Sequence, residues 1–163
     1  MTDGVRDEEA LRQYVEKMAR FLADWGFPRM AARVLLLMMA ADEESLTAAE
    51  IAERLQISPA AVSGAVRYLQ QLELVVREPV PGSRRDRYHT PHDTWYQGAL
   101  VKGGLFATLA ELSAEGAEAA GGPSTPAGSR LAEMSEFYEF LQIEVSGLLA
   151  KWRAQRGIMG QPS

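Results

Sequence analysis

The stretch Leu46–Thr90, LTAAEIAERLQISPAAVSGAVRYLQQLELVVREPVPGSRRDRYHT, decides the fold. Thr47 is followed three places on by Glu50, the reciprocal pairing that satisfies two orphan amides at a helix start. A helix running to about Leu55 follows, with Ile51, Ala52 and Leu55 on its apolar face. Gln56-Ile57 reads as a turn, and Ser58-Pro59 as the N-cap and first residue of a second helix. There Val62, Val66 (or Ala65), Leu69 and Leu72 form one stripe, and Pro59, Ala60, Ser63, Gly64, Arg67 and Gln71 the opposite face. Leu74–Glu78 is strand-like, Pro81-Gly82 suits a type II turn, and Tyr88 can pack a return strand. Short helix, tight turn, second helix and hairpin in this order predict a winged helix-turn-helix.

Working outward, apolar residues at Leu11, Tyr14/Val15, Met18, Phe21/Leu22 and Trp25 have the spacing of an amphipathic helix that begins near Asp7. Gly26 ends it and Pro28 opens the next. Pro28–Ala41 is apolar around most of its circumference from Val34 onward, the profile of a buried central helix. After the loop Asp42–Ser45 and the winged module, a helix is predicted with Trp95, Ala99, Phe106, Leu109 and Leu112 on one side. Gly103-Gly104 is placed to kink it. Gly121–Gly128 (GGPSTPAG) reads as a flexible break. The last helix carries Leu131, Met134, Tyr138, Leu141, Val145, Leu148 and Trp152 at alternating spacings of three and four, a heptad-type seam. Phe137 and Phe140 widen it, so this helix is expected to bury two sides. Because the chain offers little further core, the second side is assigned to a homodimer. Three segments result: an N-terminal dimerisation helix (1–27), a winged helix-turn-helix (28–92) and a C-terminal helical dimerisation region (93–163). The fold class is mainly α, with a small β-hairpin wing and dimerisation helices at both ends. The dimer interface is expected to use Leu11, Val15 and the seven seam residues from Leu131 to Trp152.

A hydrophobic fraction of 47% across 163 residues is enough for a core and argues against disorder. The net charge of −5 needs to be resolved along the chain. Between Ser58 and His92 five arginines (67, 77, 84, 85, 87) face Glu73, Glu78 and Asp86, so this window carries +2 and the remainder −7. A local basic patch on an acidic body can still dock on phosphates. Cysteine is absent, which rules out disulfides and thiolate sites and fits a reducing compartment. The N-terminus is too acidic for a signal peptide, and the longest apolar run, Val34–Ala41, is far too short for a membrane span. A cytoplasmic protein without membrane contact is expected.

The face Ser58, Pro59, Ala60, Ser63, Gly64 and Arg67 is small and hydroxylic with one arginine, a surface able to approach base edges. A solvated face would usually carry more charge, and Gly64 costs helix stability, about 1 kcal/mol relative to Ala. Its presence implies close approach of something, DNA or a neighbouring helix. Arg84, Arg85 and Arg87 on a hairpin tip suit phosphates or a narrow minor groove. Catalysis has little support. His89 and His92 flank Thr90-Pro91, which breaks helical geometry, and Asp93 beside them does not complete a metal site. There is no phosphate loop and no nucleophile constellation, so neither enzyme activity nor a cofactor is expected. The carboxylate runs Asp7–Glu9 and Asp42–Glu44 read as solvated helix ends. Trp25, Phe27, Trp95, Tyr96 and Phe106 are candidates for an effector pocket suited to an apolar or cationic ligand. Each can instead be a core or dimer contact. Two function classes are consistent with these residues: a DNA-binding, ligand-responsive regulator, or a winged-helix module that binds protein without sequence-specific DNA contact.

The segments PRMAARVLLLMMA, LTAAEIAERLQISPAAVSGAVRYLQQLELVVRE and PGSRRDRY resemble the MarR family, and within it the GbsR-like branch. The resemblance spans the whole architecture. It implies a homodimeric, usually repressing, transcription factor that reads a pseudo-palindromic stretch of double-stranded DNA. By that analogy helix 58–72 enters the major groove, with Ser58, Ala60, Ser63, Gly64 and Arg67 nearest the DNA. Wing 79–89 brings Arg84, Arg85 and Arg87 to the minor groove or its phosphates. It also implies a small-molecule effector between the DNA-binding and dimerisation regions, though it names no ligand. Lacking cysteine, this chain has no thiol-oxidation switch.

Overall fold

The structure, a computed structural model, describes residues 6–91 and 104–157. Its internal contacts divide the chain into two units, 1–95 and 96–163. In the first, α1 (Glu8–Asp24), α2 (Arg29–Ala40), β1 (Leu46–Thr47), α3 (Ala48–Leu55), α4 (Pro59–Gln71), β2 (Val76–Pro79) and β3 (Asp86–His89) follow in order. In the second, α5 (Leu105–Ala119) and α6 (Pro126–Gln155) form a helical pair.

Local chemistry sets the boundaries in the first unit. Asp7 caps α1, its carboxylate accepting from the Ala10 amide at 2.9 Å. At the other end Gly26 sits at φ +90°, and the amides of Gly26 and Phe27 donate to the carbonyls of Ala23 and Leu22. This is a Schellman closure, which needs a left-handed residue where glycine carries no Cβ penalty. The helix α2 is the central element. Ala31, Ala32, Val34, Leu36 and Met38 are buried among Val15 and Ala19 of α1, Ile51 and Leu55 of α3, and Val62, Ala65, Val66 and Leu69 of α4. The core stripe of α4 follows the expected spacing, with Leu72 only half-buried at its end.

The sheet holds one strand more than the hairpin read from sequence. Its order is β1-β3-β2, with Leu46 opposite Tyr88 and Thr47 opposite Arg87. Two residues cannot display a period-two pattern, so β1 has no local signature; it exists because β3 offers it a ladder. Strand β2 starts at Val76, later than the strand-like run that begins at Leu74, because Leu74 and Val75 are instead buried in the core. The turn Val80–Ser83 closes through Ser83 N donating to Val80 O at 3.1 Å, with Gly82 at φ +77° as type II geometry requires.

In the second unit Gly104, at φ +64°, is the N-cap of α5, so the described helix begins after the glycine pair; Trp95 and Ala99 lie outside the described residues. The buried face of α5 is made of small residues, Ala110, Ser113 and Ala117; of the residues read as sharing one side, Phe106 and Leu109 are half-buried and Leu112 is exposed. Close helix approach explains this: Ser135 of α6 donates its hydroxyl to the Ala110 carbonyl at 2.8 Å. The stretch 121–128 is a defined turn, not a loose break. Thr125 donates to the carbonyl of Ala120 at 2.8 Å and accepts from the Gly128 amide at 3.0 Å, capping α6.

Candidate nucleic-acid interface

Two helix caps build the helix-turn-helix. The Thr47 hydroxyl accepts from the Glu50 amide at 3.2 Å. In return the Thr47 amide donates to the Glu50 carboxylate at 2.7 Å. This is the reciprocal box expected from the two residue types. The Thr47 hydroxyl also donates to that carboxylate at 2.8 Å, and the two bonds it receives, the amide's first and the hydroxyl's second, hold the Glu50 carboxyl below its ordinary range. The helix α3 ends at Gln56, which takes the left-handed conformation at φ 52°. Ser58 then caps α4, its hydroxyl accepting from the Ala61 amide at 3.1 Å, and Pro59 occupies the first turn.

The face of α4 opposite the core is open. Ser58, Pro59, Ala60, Ser63, Gly64 and Arg67 are all exposed. A Cβ built on Gly64 meets nothing within 4 Å, so packing inside the described chain does not account for the glycine. Behind this face Tyr68 meets Phe27 edge-on, with ring centroids 5.5 Å apart. That contact braces α4 against the α1–α2 link.

The three wing arginines are separated by the structure. Arg84 and Arg85 lie exposed between the turn and β3, and neither has an ion pair among the described residues. Arg87 sits in the central strand and turns inward. Its Nε donates to the Ser45 hydroxyl and its Nη2 to the Ser45 carbonyl, both at 2.7 Å, with Glu50 at 3.6 Å. These bonds fasten the wing to Ser45, the residue before β1, while a third of the Arg87 side chain stays exposed, and the DNA contact expected for it is carried as part of the proposed function. Spacing along the chain cannot separate these roles, because β-alternation and the third strand decide where each side chain points. Arg77, exposed on β2, is paired with Asp86 across the hairpin, and His89 lies 3.9 Å from Glu78. His92 lies outside the described residues.

The expected effector residues are not gathered into one cavity within the first unit. Trp25 is 79% exposed at the end of α1, beside Phe21, whereas Phe27 is half-buried against Tyr68. Phe106 is half-buried in the second unit, and Trp95 and Tyr96 lie outside the described residues. A cleft of about 880 Å³ does occur in the first unit, between α1, α2 and α3. Its arginines already have carboxylate partners: Arg6 with Asp42, Arg12 with Glu9, Arg33 with Glu16 and Arg54 with Glu43. The hydrogen bond from Arg54 holds the Glu43 carboxyl at about 2.

Of the expected dimer residues, Val15 is buried in the core of the first unit and Leu11 is half-buried at the cleft, so α1 spends that flank internally. Its other flank exposes Tyr14, Phe21 and Trp25. On α6, Leu131, Tyr138, Leu141 and Val145 are half-buried, while Met134, Phe137, Leu148 and Trp152 are exposed.

Residues 25–86 match the sequence profile of the MarR family, and residues 93–155 that of MmpR5-like MarR family transcriptional regulators. Both matches are to MarR family regulators, and together they support a MarR family transcriptional regulator. This MarR regulator is 26% identical over 160 residues to the HTH-type transcriptional regulator MmpR5 of Mycobacterium tuberculosis (strain ATCC 25618 / H37Rv), covering 96% of this chain and 97% of that relative. It is also similar to a solved structure described as a transcriptional regulator, with 25% identity, a TM-score of 0.78, and coverage of 89% of this chain and 99% of that one. The function that goes with the family is DNA-binding transcriptional regulation, not catalysis. Among the described residues no helix is long and apolar enough to cross a membrane.

Proposed function

We propose that this MarR regulator is a ligand-responsive homodimeric repressor that acts in the cytoplasm on a pseudo-palindromic operator. In this reading α4 enters the major groove and the hairpin tip reaches the adjacent minor groove, so two protomers set their recognition helices ~34–36 Å apart. One observation carries it. An N-capped helix presents Ser58, Ala60, Ser63, Gly64 and Arg67 outward in the same unit as two wing cations, Arg84 and Arg85, that no carboxylate among the described residues neutralises. The exposed flanks of α1 and α6 support segments 1–27 and 93–163 as dimer contacts, and the GbsR-like affinity rests on the sequence motifs alone. A small-molecule effector is part of the proposal, with Trp25, Phe27, Trp95, Tyr96 and Phe106 as its first candidates.

Fluorescence anisotropy on the chain's own upstream intergenic DNA, with random duplex as competitor and at two salt concentrations, tests the reading. Preference for the upstream DNA with steep salt dependence is expected. Arg84→Ala with Arg85→Ala removes two cations from each protomer, and at about 0.9 per phosphate neutralised the log–log salt slope falls by up to roughly 3.6 per dimer. An unchanged slope takes the wing out of the interface. For the dimer, Met134→Glu with Leu148→Glu alters two side chains already exposed in one chain, so monomer is expected in analytical ultracentrifugation with helical content retained. A variant that stays dimeric places the contact elsewhere.

A further inference from the structure

Arg33 stands on α2, and only 15% of its side chain is exposed. Its Nε donates to Glu16 Oε1 on α1 at 2.7 Å, and its Nη2 donates to the Leu55 carbonyl at 3.0 Å. Its Nη1 lies against the Met30 sulfur at 3.7 Å. Three helices thus meet on one guanidinium. The Leu55 carbonyl is among the last of α3, where helix geometry leaves acceptors without an intrahelical donor and where the dipole favours a cation. The next residues are Gln56 in its left-handed conformation, Ile57, and then Ser58, which caps the recognition helix.

Packing alone does not call for an arginine here. An apolar side chain of similar length fills such a space without removing a charge from water, and ion pairs taken out of solvent often do no better than apolar replacements. What the guanidinium adds is direction, because its planar fork fixes two acceptors in defined positions at once. Those acceptors lie on α1, whose other flank shows Tyr14, Phe21 and Trp25 to solvent, and on the residue that opens the turn into α4.

We propose that Arg33 is a positioning residue for DNA recognition: by tying Glu16 of α1 to the carbonyl of Leu55, it sets the angle at which α4 leaves the turn. The inference rests on the homodimeric DNA-binding reading above. In such a dimer an angle fixed relative to α1 becomes the spacing between the two recognition helices. Arg33 itself touches no DNA and acts through Leu55 to Ser58. Glu16 is shared with Arg29, at 3.7 Å, so the α1 end of the tie has a second cation and the Leu55 end depends on Arg33.

The test uses the full chain. A duplex is selected from a random library with the wild-type protein, and its half-sites are then moved together or apart by one to three base pairs. Wild type is expected to prefer its selected spacing by about tenfold, since a half-site shifted off the helical repeat leaves the face that a rigid dimer presents. Arg33→Met is expected to flatten that preference to within about threefold while keeping the salt slope, because no phosphate contact is removed. Arg33→Lys keeps the charge without the fork and is expected to restore the preference in part. A second measurement, amide hydrogen exchange, is expected to show the amides of Gln56, Ile57, Ser58, Ala60 and Ala61 exchanging faster in Arg33→Met, with those of α5 and α6 unchanged.

Arg33→Met with the wild-type spacing preference and uniformly weaker binding would mean a structural role only and overturn the proposal. Unaltered exchange in the turn overturns it as well. A wild type that selects no duplex refutes the DNA-binding reading instead, and the exchange measurement still decides whether Arg33 holds the turn.

Discussion

Gly64→Ala separates stability from recognition in this MarR regulator, because the two are expected to move in opposite directions. Gly64 lies within α4, exposed, and a Cβ placed there meets nothing within 4 Å. Nothing on the folded side therefore opposes alanine, and the helix gains about 1 kcal/mol relative to glycine. For a unit of this size such a gain raises Tm by about 4–8 °C. In the proposed docking the same methyl projects into the space between the helix backbone and the base edges. A group forced into a packed contact costs about 1–3 kcal/mol, which weakens binding about 5- to 150-fold. Scanning calorimetry gives the first quantity, and anisotropy on a duplex selected with wild type gives the second. The salt slope is expected to stay constant, since no cation is removed. A variant that is more heat-stable and binds as tightly as wild type would show that nothing approaches Gly64, and the assignment of this face would fall. A lower Tm would contradict the open surroundings of the residue.

Three further outcomes follow from particular contacts. Arg87→Ala removes two donors from Ser45. Because the arginine is partly exposed, the expected loss of stability is small, on the order of ~1 kcal/mol, with the salt slope unchanged. A lower slope without loss of Tm would make Arg87 a phosphate contact instead. Gly128→Ala drives a Cβ into the Gly122 carbonyl that the turn before α6 holds close. A loss of about 1–3 kcal/mol is expected in urea unfolding, and a neutral result would mean the turn opens without cost. Glu43 and Glu50 have folded-state pKa values below those of the unfolded chain, lowered by the Arg54 and Thr47 hydrogen bonds respectively. Their stabilisation is complete above the unfolded value and is lost as pH falls through the folded one. The urea midpoint is thus expected to drop between about pH 5 and pH 2. Glu43→Gln should make that drop shallower, and an identical pH profile would show that the Arg54 pair contributes nothing.

The parts of the fold legible in the amino-acid sequence are those whose cause lies within a few residues. The Thr47–Glu50 box, the Ser58-Pro59 start, the stop at Gly26 and the Pro81-Gly82 turn each involve groups only a few positions apart, so residue types and spacing suffice. The buried character of α2 and the core stripe of α4 are equally legible, since periodicity reports which face avoids water. The buried face of α5 is not legible in this way, because hydrophobicity alone does not say which face a partner helix can approach. Small residues allow the closer contact, and Leu112 is left outside.

The sequence by itself determined the order of elements, the caps, the winged architecture and the outward face of α4. Tertiary structure alone decided what each long side chain is for. Arg87 is separated from Ser45 by 42 positions and Arg33 from Leu55 by 22, so no local pattern records either bond. The same holds for the two-residue strand β1, for Val15 being spent in the monomer core, and for the division of α6 between inner and outer flanks. Short-range hydrogen bonds and periodicity are encoded within one turn of chain. A guanidinium on a flexible stem reaches whichever acceptor the packed fold brings near, and only the assembled helices specify which one that is.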